Sequence, residues 1–121
     1  MNKHILLVDD EAPIREMLAL ALGRSGYRVT DVSSAAEAER IVQSDPPHLI
    51  ISDLQLEESD GLDLIAKVKA TAPHVPVILL TGVLFDEQVV RDALGDKISC
   101  YLHKSSPLSK IVAEVRRLLG Q

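Results

Sequence analysis

A chain of 121 residues is one domain, long enough to bury a core without disulfides or a structural metal. With 46% apolar, 26% charged and only 2% aromatic residues, it reads as a water-soluble globular protein whose core is built from Leu, Ile, Val and Ala. The net charge of −5 argues against a broad basic face for nucleic acid or anionic lipid. No apolar run approaches the ~20 residues that span a bilayer. No signal-peptide pattern precedes the first apolar run, so no membrane association is expected. Cys100 stands alone, which excludes an internal disulfide, fits a reducing cytoplasm and is expected as a small core thiol.

Ile5-Leu6-Leu7-Val8 predicts a first strand over 4–8 that ends on Asp9-Asp10. A helix follows, with Pro13 in its first turn and Gly26 at its stop. "RVTDV" at 28–32 is a mixed strand, and Ser34 with Glu37 forms a capping box for a helix that must end before Asp45-Pro46-Pro47. The run 48–52 drives three large apolar residues up to Asp53, and Glu57, Glu58, Asp60 and Asp63 follow closely. After a third helix, 76–80 is a strand leading to Thr81-Gly82. A short helix is predicted at about 86–94, then a mixed strand at 98–103 that ends on Lys104. Ser106-Pro107, as N-cap and N1, opens a C-terminal helix with Leu108, Ile111, Val112, Val115 and Leu119 on one face. Lys110, Glu114, Arg116 and Arg117 fall elsewhere on that helix, as a solvated face.

Strands alternating with helices imply βαβ units and a parallel sheet. Strands 1, 3 and 4 are continuously apolar, as strands covered on both faces should be, whereas strands 2 and 5 are mixed, as edges can be. With right-handed crossovers the economical order is 2-1-3-4-5, with helices on both faces. A crevice then opens beyond the carboxyl ends of strands 1 and 3, and those ends are Asp9-Asp10 and Asp53.

Crowded carboxylates disfavour one another's ionisation, so Asp9, Asp10 and Asp53 stay charged together only around a cation. Oxygen donors without His or Cys favour a hard ion, and Mg²⁺ fits because it needs only one or two carboxylates. Thr81 adds a hydroxyl, Gly82 leaves room for a ligand, and Lys104 adds a flexible cation. That set suits a phosphoryl group attacked by a carboxylate. Any one of these residues alone reads as a cap or a solvated charge; five of them at strand ends read as a site. His4, His48, His74 and His103 form no ligand-spaced group and are assigned no role.

From end to end the chain resembles the receiver domains of bacterial response regulators, on "ILLVDDE", "LIISDLQL", "SDG", "VILLTG" and "YLHK". The resemblance implies a flavodoxin-like (βα)5 domain over 1–121 in a two-component or phosphorelay system. It would accept a phosphoryl group on Asp53 from a sensor histidine kinase or histidine phosphotransfer protein. By the same resemblance Mg²⁺ is held by Asp10 directly, with Asp9, Asp53 and the backbone carbonyl of Gln55. Thr81 and Lys104 contact the phosphoryl oxygens, and Tyr101 is the aromatic that swings inward as the switch turns; its alternative is a half-packed edge-strand residue. The domain would catalyse only its own phosphotransfer and dephosphorylation, in the cytoplasm. It would act on an output domain or downstream protein through the face made by 86–94, strand 98–103 and the C-terminal helix, with a phosphorylation-dependent homodimer as a further expectation. The chain is either a stand-alone receiver or part of a longer regulator.

Four features depart from the family pattern. Ser105 follows the lysine where a cis proline is usual, and a cis bond before serine would cost about 2.5–4 kcal/mol. The Lys104–Ser105 bond is therefore trans with an altered loop, or strained. Glu57 replaces a proline, Lys97-Ile98 replace a small Gly-Ala pair, and the interval from Thr81 to Lys104 is one residue longer than usual. Gln55 and Val83 occupy positions from which side chains orient an attacking water, and Val83 cannot hydrogen-bond one, so slow autodephosphorylation is expected. Two other classes compete with the receiver reading. One is a receiver-like interaction module without phosphorylation-dependent switching. The other is an aspartate-nucleophile phosphatase, disfavoured because Gln55 stands where a second acid is needed and no cap domain fits.

Overall fold

The computed structural model describes residues 2–53, 61–82, 88, 92 and 97–120. Its elements are β1 (His4–Val8), α1 (Ala12–Arg24), β2 (Arg28–Val32), α2 (Ala35–Ser44), β3 (Leu49–Ser52), α3 (Gly61–Thr71), β4 (Val77–Thr81), β5 (Cys100–His103) and the C-terminal helix α4 (Leu108–Leu119). All strand pairings are parallel, in the order β2-β1-β3-β4-β5. The expected flavodoxin-like topology is therefore present, with the mixed strands at the edges. The short helix expected at about 86–94 lies outside the described residues apart from Gln88 and Asp92, which are helical.

Alternation along the central strands sorts their side chains to two faces. Ile5, Leu7, Leu49, Ile51, Ile78 and Leu80 pack with Leu18 and Leu22 of α1 and Ile111 and Val115 of α4. On the other face Leu6, Val8 and Ile50 meet Ala38 and Val42 of α2 and Leu64 and Val68 of α3. Each such Leu or Ile, withdrawn from water, stabilises the fold by about 1.5–3 kcal/mol. Helices on both faces force the continuous apolar runs that made β1, β3 and β4 legible. Ile98, standing where the family has a small residue, joins Ile65, Val77 and Leu79 in a third cluster, against which Tyr101 is partly buried.

Local signals set the helix ends. α1 carries Pro13 in its first turn and closes in a Schellman motif: Tyr27 N–H donates to the Leu22 carbonyl (3.2 Å) and Gly26 N–H to the Gly23 carbonyl (3.1 Å). Gly26 sits at φ 97°, a left-handed conformation that a side chain would strain. The Ser34 hydroxyl accepts the Glu37 N–H (3.3 Å) as the capping box requires. At α4 the expectation shifts by one residue. Pro107, not Ser106, is the N-cap, with extended backbone at ψ 140°, and its carbonyl accepts the Lys110 N–H (2.9 Å). Cys100 is half-buried rather than fully in the core, its thiol 3.7 Å from Glu114 Oε2.

At the amino ends of the strands lies a polar cluster around His4 that no motif announces. Its side chain is fully buried, with Nε2 2.7 Å from Thr30 Oγ1, and its backbone N–H donates to His48 Nδ1 (2.8 Å). His4 Nδ1 lies 3.8 Å from Asp45, which Arg28 grips through two hydrogen bonds of 2.7 and 3.1 Å. Burial, then the Arg28 charge, pushes the His4 imidazole below its ordinary 6.5.

Candidate functional site

Register brings the acids together. Val8 of β1 lies beside Ser52 of β3, so the next residue of each strand, Asp9 and Asp53, leaves the sheet at the same level. Asp53 N–H donates to the Val8 carbonyl (3.1 Å) and Asp9 N–H to the Val32 carbonyl (3.2 Å), pinning both backbones as the pairing ends. Carboxylate oxygens of Asp9, Asp10 and Asp53 all lie within 4.8 Å of one another. Asp9 and Asp53 are buried.

On the other flank Thr81 closes β4 beside His103 of β5, and the Thr81 carbonyl accepts the Lys104 N–H (2.8 Å). Thr81 is thus the last residue of the strand, one further than expected, and is fully buried. Lys104 reaches back across the crevice into the acids. Its Nζ lies 2.9 Å from Asp53 Oδ2, 2.9 Å from Asp9 Oδ2 and 3.0 Å from Glu11 Oε2. The Lys104 side chain is only 9% exposed, so these are shielded contacts rather than surface pairs.

One contributor escapes the sequence reading, and a second serves a different neighbour from the one expected. Glu11, third acid of "VDDE", has no role assigned from sequence; its carboxylate holds Lys104, and its N–H donates to Asp9 Oδ1 (2.8 Å). Gly82 was expected to leave room for a ligand, yet a Cβ there would lie 3.3 Å from Lys104 Cδ, so the room is taken by the lysine stem. The missing side chain was the available signal; what it accommodates was not.

Electrostatics follow from burial opposed by pairing. Burial pushes the Asp9 carboxyl above the ordinary carboxylate range, against the Glu11 amide and Lys104, which favour its charge; the Asp53 charge adds to the upward push. Burial alone would press Lys104 toward neutrality, but hydrogen bonds to Asp53, Asp9 and Glu11 together outweigh it, and the ammonium is held above the ordinary lysine range. The donors facing the crevice are oxygens, one of them on a buried carboxylate whose charge is only partly compensated. That chemistry fits a hard divalent cation such as Mg²⁺.

The expected residues Asp9, Asp10, Asp53, Thr81 and Lys104 thus converge on the carboxyl ends of β1, β3, β4 and β5. Tyr101 stands apart, on β5 opposite Leu79, half-buried against the cluster that contains Ile98. Gln55, Glu57 and Val83 lie outside the described residues. Among the described residues all peptide bonds are trans, so Lys104–Ser105 takes the unstrained form and the loop is altered instead.

A family model for the response regulator receiver domain matches residues 5–116. Transcriptional regulatory protein GlrR of Escherichia coli (strain K12) is 41% identical over 120 residues, covering 86% of this chain and 27% of that protein. Phosphate regulon transcriptional regulatory protein PhoB of Pseudomonas aeruginosa is 37% identical over 121 residues, covering 98% of this chain and 52% of that protein. The chain therefore spans between a quarter and about half of the length of these relatives. Among solved structures, the BeF3-activated DrrB receiver domain superposes with a TM-score of 0.87 at 25% identity, covering 100% of both chains. A CheY-like receiver domain protein from Methanospirillum hungatei JF-1 shares the fold, with a TM-score of 0.91 at 24% identity over 99% of this chain and 95% of that one. With the carboxyl-end cluster already in place, the matched span settles the family: this chain belongs to the receiver domains of two-component response regulators.

Proposed function

We propose that Asp53 accepts a phosphoryl group from the phosphohistidine of a sensor histidine kinase or a histidine phosphotransfer protein. The observation that supports this most is the Lys104 ammonium, 2.9 Å from both Asp53 and Asp9 inside a cluster of three aspartates. An Asp53 carboxylate oxygen forms the new O–P bond as the P–N bond of the phosphohistidine breaks. Lys104 and Thr81, flanking Asp53 from β5 and β4, meet the phosphoryl oxygens as negative charge gathers on them. Asp9, Asp10, Asp53 and the backbone carbonyl of Gln55 are the groups to hold Mg²⁺. Bound there, the ion would neutralise phosphoryl charge without a proton transfer.

The phosphoryl group then biases a two-state element. Tyr101, on the edge strand that leads to Lys104, links the site to the face that carries β5 and α4. An output domain or downstream protein reads that face in the cytoplasm, with a phosphorylation-dependent homodimer as one form of readout. The domain turns its chemistry on itself and carries no further enzymatic activity. The test is incubation with acetyl phosphate and Mg²⁺, followed by intact mass and size-exclusion chromatography. One added phosphoryl mass, absent without Mg²⁺ and in Asp53→Asn, is the expected result. No mass gain in the parent protein would refute the phosphoacceptor role. A mass gain with no change in hydrodynamic or spectral properties would refute the switch alone and favour a constitutively docked module.

A further inference from the structure

The loop that carries Lys104 has an internal fastening supplied by His103. Three consecutive backbone N–H groups leave the end of β5 here, and each has an acceptor. Lys104 N–H goes to the Thr81 carbonyl (2.8 Å), Ser106 N–H to the His103 carbonyl (2.9 Å), and Ser105 N–H to His103 Nδ1 (3.0 Å). The same Nδ1 lies 2.7 Å from Ser105 Oγ. Nδ1 has a single in-plane lone pair, which the Ser105 N–H and the serine hydroxyl beside it share. One imidazole nitrogen therefore holds both donors of Ser105, while the carbonyl of the same residue holds the next N–H.

We infer that His103 is a positioning residue for Lys104, fixing the backbone on the carboxyl side of the lysine as Thr81 fixes the amino side. The inference rests on the phosphoacceptor reading for its consequence, but not for its geometry. A serine at 105 leaves φ free and adds an N–H, so the loop needs a tether that a rigid residue would not. His103 provides it within two residues, at the edge of the sheet and outside the acidic cluster. The lysine stem passes beside Gly82 to reach three carboxylates. With the Lys104 amide held by Thr81, a change of φ at Lys104 carries its Cβ and Ser105 together, so holding Ser105 holds the root of the stem that places Nζ between Asp53 and Asp9.

The test compares His103→Leu, which removes the acceptor, with His103→Asn, whose Oδ1 stands at the same number of bonds from the backbone as Nδ1. Both are made in the parent and in Ser105→Pro, which has no N–H or hydroxyl to hold. Two quantities are read on the Mg²⁺-saturated protein: the rate of phosphorylation by acetyl phosphate, and the exchange of the Ser105 amide with the Lys104 ammonium resonance by NMR. The Leu variant is expected to react about threefold to tenfold more slowly, the ratio a single net hydrogen bond sets, with faster Ser105 exchange. The Asn variant restores both readings, and in Ser105→Pro the Leu and Asn variants react alike. Equal rates for Leu, Asn and parent, or a Leu deficit that persists undiminished in Ser105→Pro, would overturn the inference. A parent protein that takes no phosphoryl group would fail the phosphoacceptor reading instead. The amide and ammonium resonances then decide the tether alone: unchanged in the Leu variant, they overturn it.

Discussion

Lys104→Met separates what the lysine does for the acids from what it does for the phosphoryl group. Its ammonium contacts Asp9, Asp53 and Glu11 at 2.9–3.1 Å, and two of those residues are also proposed ligands of Mg²⁺. An ion held by the same carboxylates would share them with the ammonium, and a unit charge is set here on the order of 5 Å from a divalent one. Even at the dielectric of water that repulsion is ~1.7 kcal/mol, more than tenfold in affinity, and a partly buried site exceeds it. The methionine variant is therefore expected to bind Mg²⁺ at least about tenfold more tightly by isothermal titration calorimetry, while phosphorylation by acetyl phosphate slows. Without the ion it should be less stable by ~3–5 kcal/mol, the usual loss when one partner of a buried charged cluster is removed, and Mg²⁺ should return more stability to it than to the parent. Equal or weaker Mg²⁺ binding in the variant would refute the premise that lysine and ion share the same carboxylates.

Other perturbations test separate links. Gly82→Ala places a Cβ 3.3 Å from Lys104 Cδ, which the flexible stem can absorb. Gly82→Val cannot be absorbed so easily and is expected to slow phosphorylation about tenfold to a hundredfold, with an unchanged circular dichroism spectrum. Gly26→Ala forces a side chain into φ 97° and should cost about 1–2 kcal/mol in urea unfolding without altering phosphorylation. His4 is held neutral by burial and by Arg28, its folded value lying below 6.5. The unfolded chain therefore takes up a proton first as the pH falls. The stability linked to His4 is fully present above 6.5 and is lost as pH drops through that value toward the folded one. His4→Gln should remove that part of the slope of unfolding free energy against pH; an identical slope would show that another group titrates there.

The topology and the acids were legible for the same reason. Burial on both faces makes β1, β3 and β4 continuously apolar, so the first polar residue after each marks the carboxyl edge of the sheet, and parallel register does the rest. Asp9 and Asp53 could be placed side by side because Val8 and Ser52 are neighbours in any such sheet. Contacts made by long or local side chains were not legible. Glu11 lies 93 residues from Lys104 in sequence, and nothing in "VDDE" says which of its three acids the lysine will touch. His103 looked like an idle histidine because its partner is the N–H two residues on, an acceptor role that leaves no motif. The cap of α4 moved from Ser106 to Pro107 because Pro107 keeps an extended backbone at ψ 140° and its carbonyl is the one that opens the helix. Ser105 did announce an altered loop, but not what would hold it.

The charge balance gives a reason for the lysine and the proposed divalent ion to share this crevice although they would repel. Asp9, Asp10, Glu11 and Asp53 set against Lys104 leave three uncompensated negative charges around a partly buried point. Converting Asp53 to an aspartyl phosphate replaces one negative charge with about two, and so would raise the imbalance to about four. One ammonium cannot meet that demand, and Asp9, whose ionised form burial already disfavours, is the carboxylate least able to tolerate it. Two added positive charges would lower the phosphorylated cluster to about two uncompensated negative charges, below the three that the resting one sustains with Lys104 alone. A divalent ion is what the proposed phosphorylation would demand of four acids and one lysine, and Glu11→Gln tests the balance itself. Removing one acid should weaken Mg²⁺ binding and shrink the ratio between the phosphorylation rates at saturating Mg²⁺ and without it. A variant whose Mg²⁺ affinity matched the parent would mean that Glu11 lies outside the field that the ion and the phosphoryl group share.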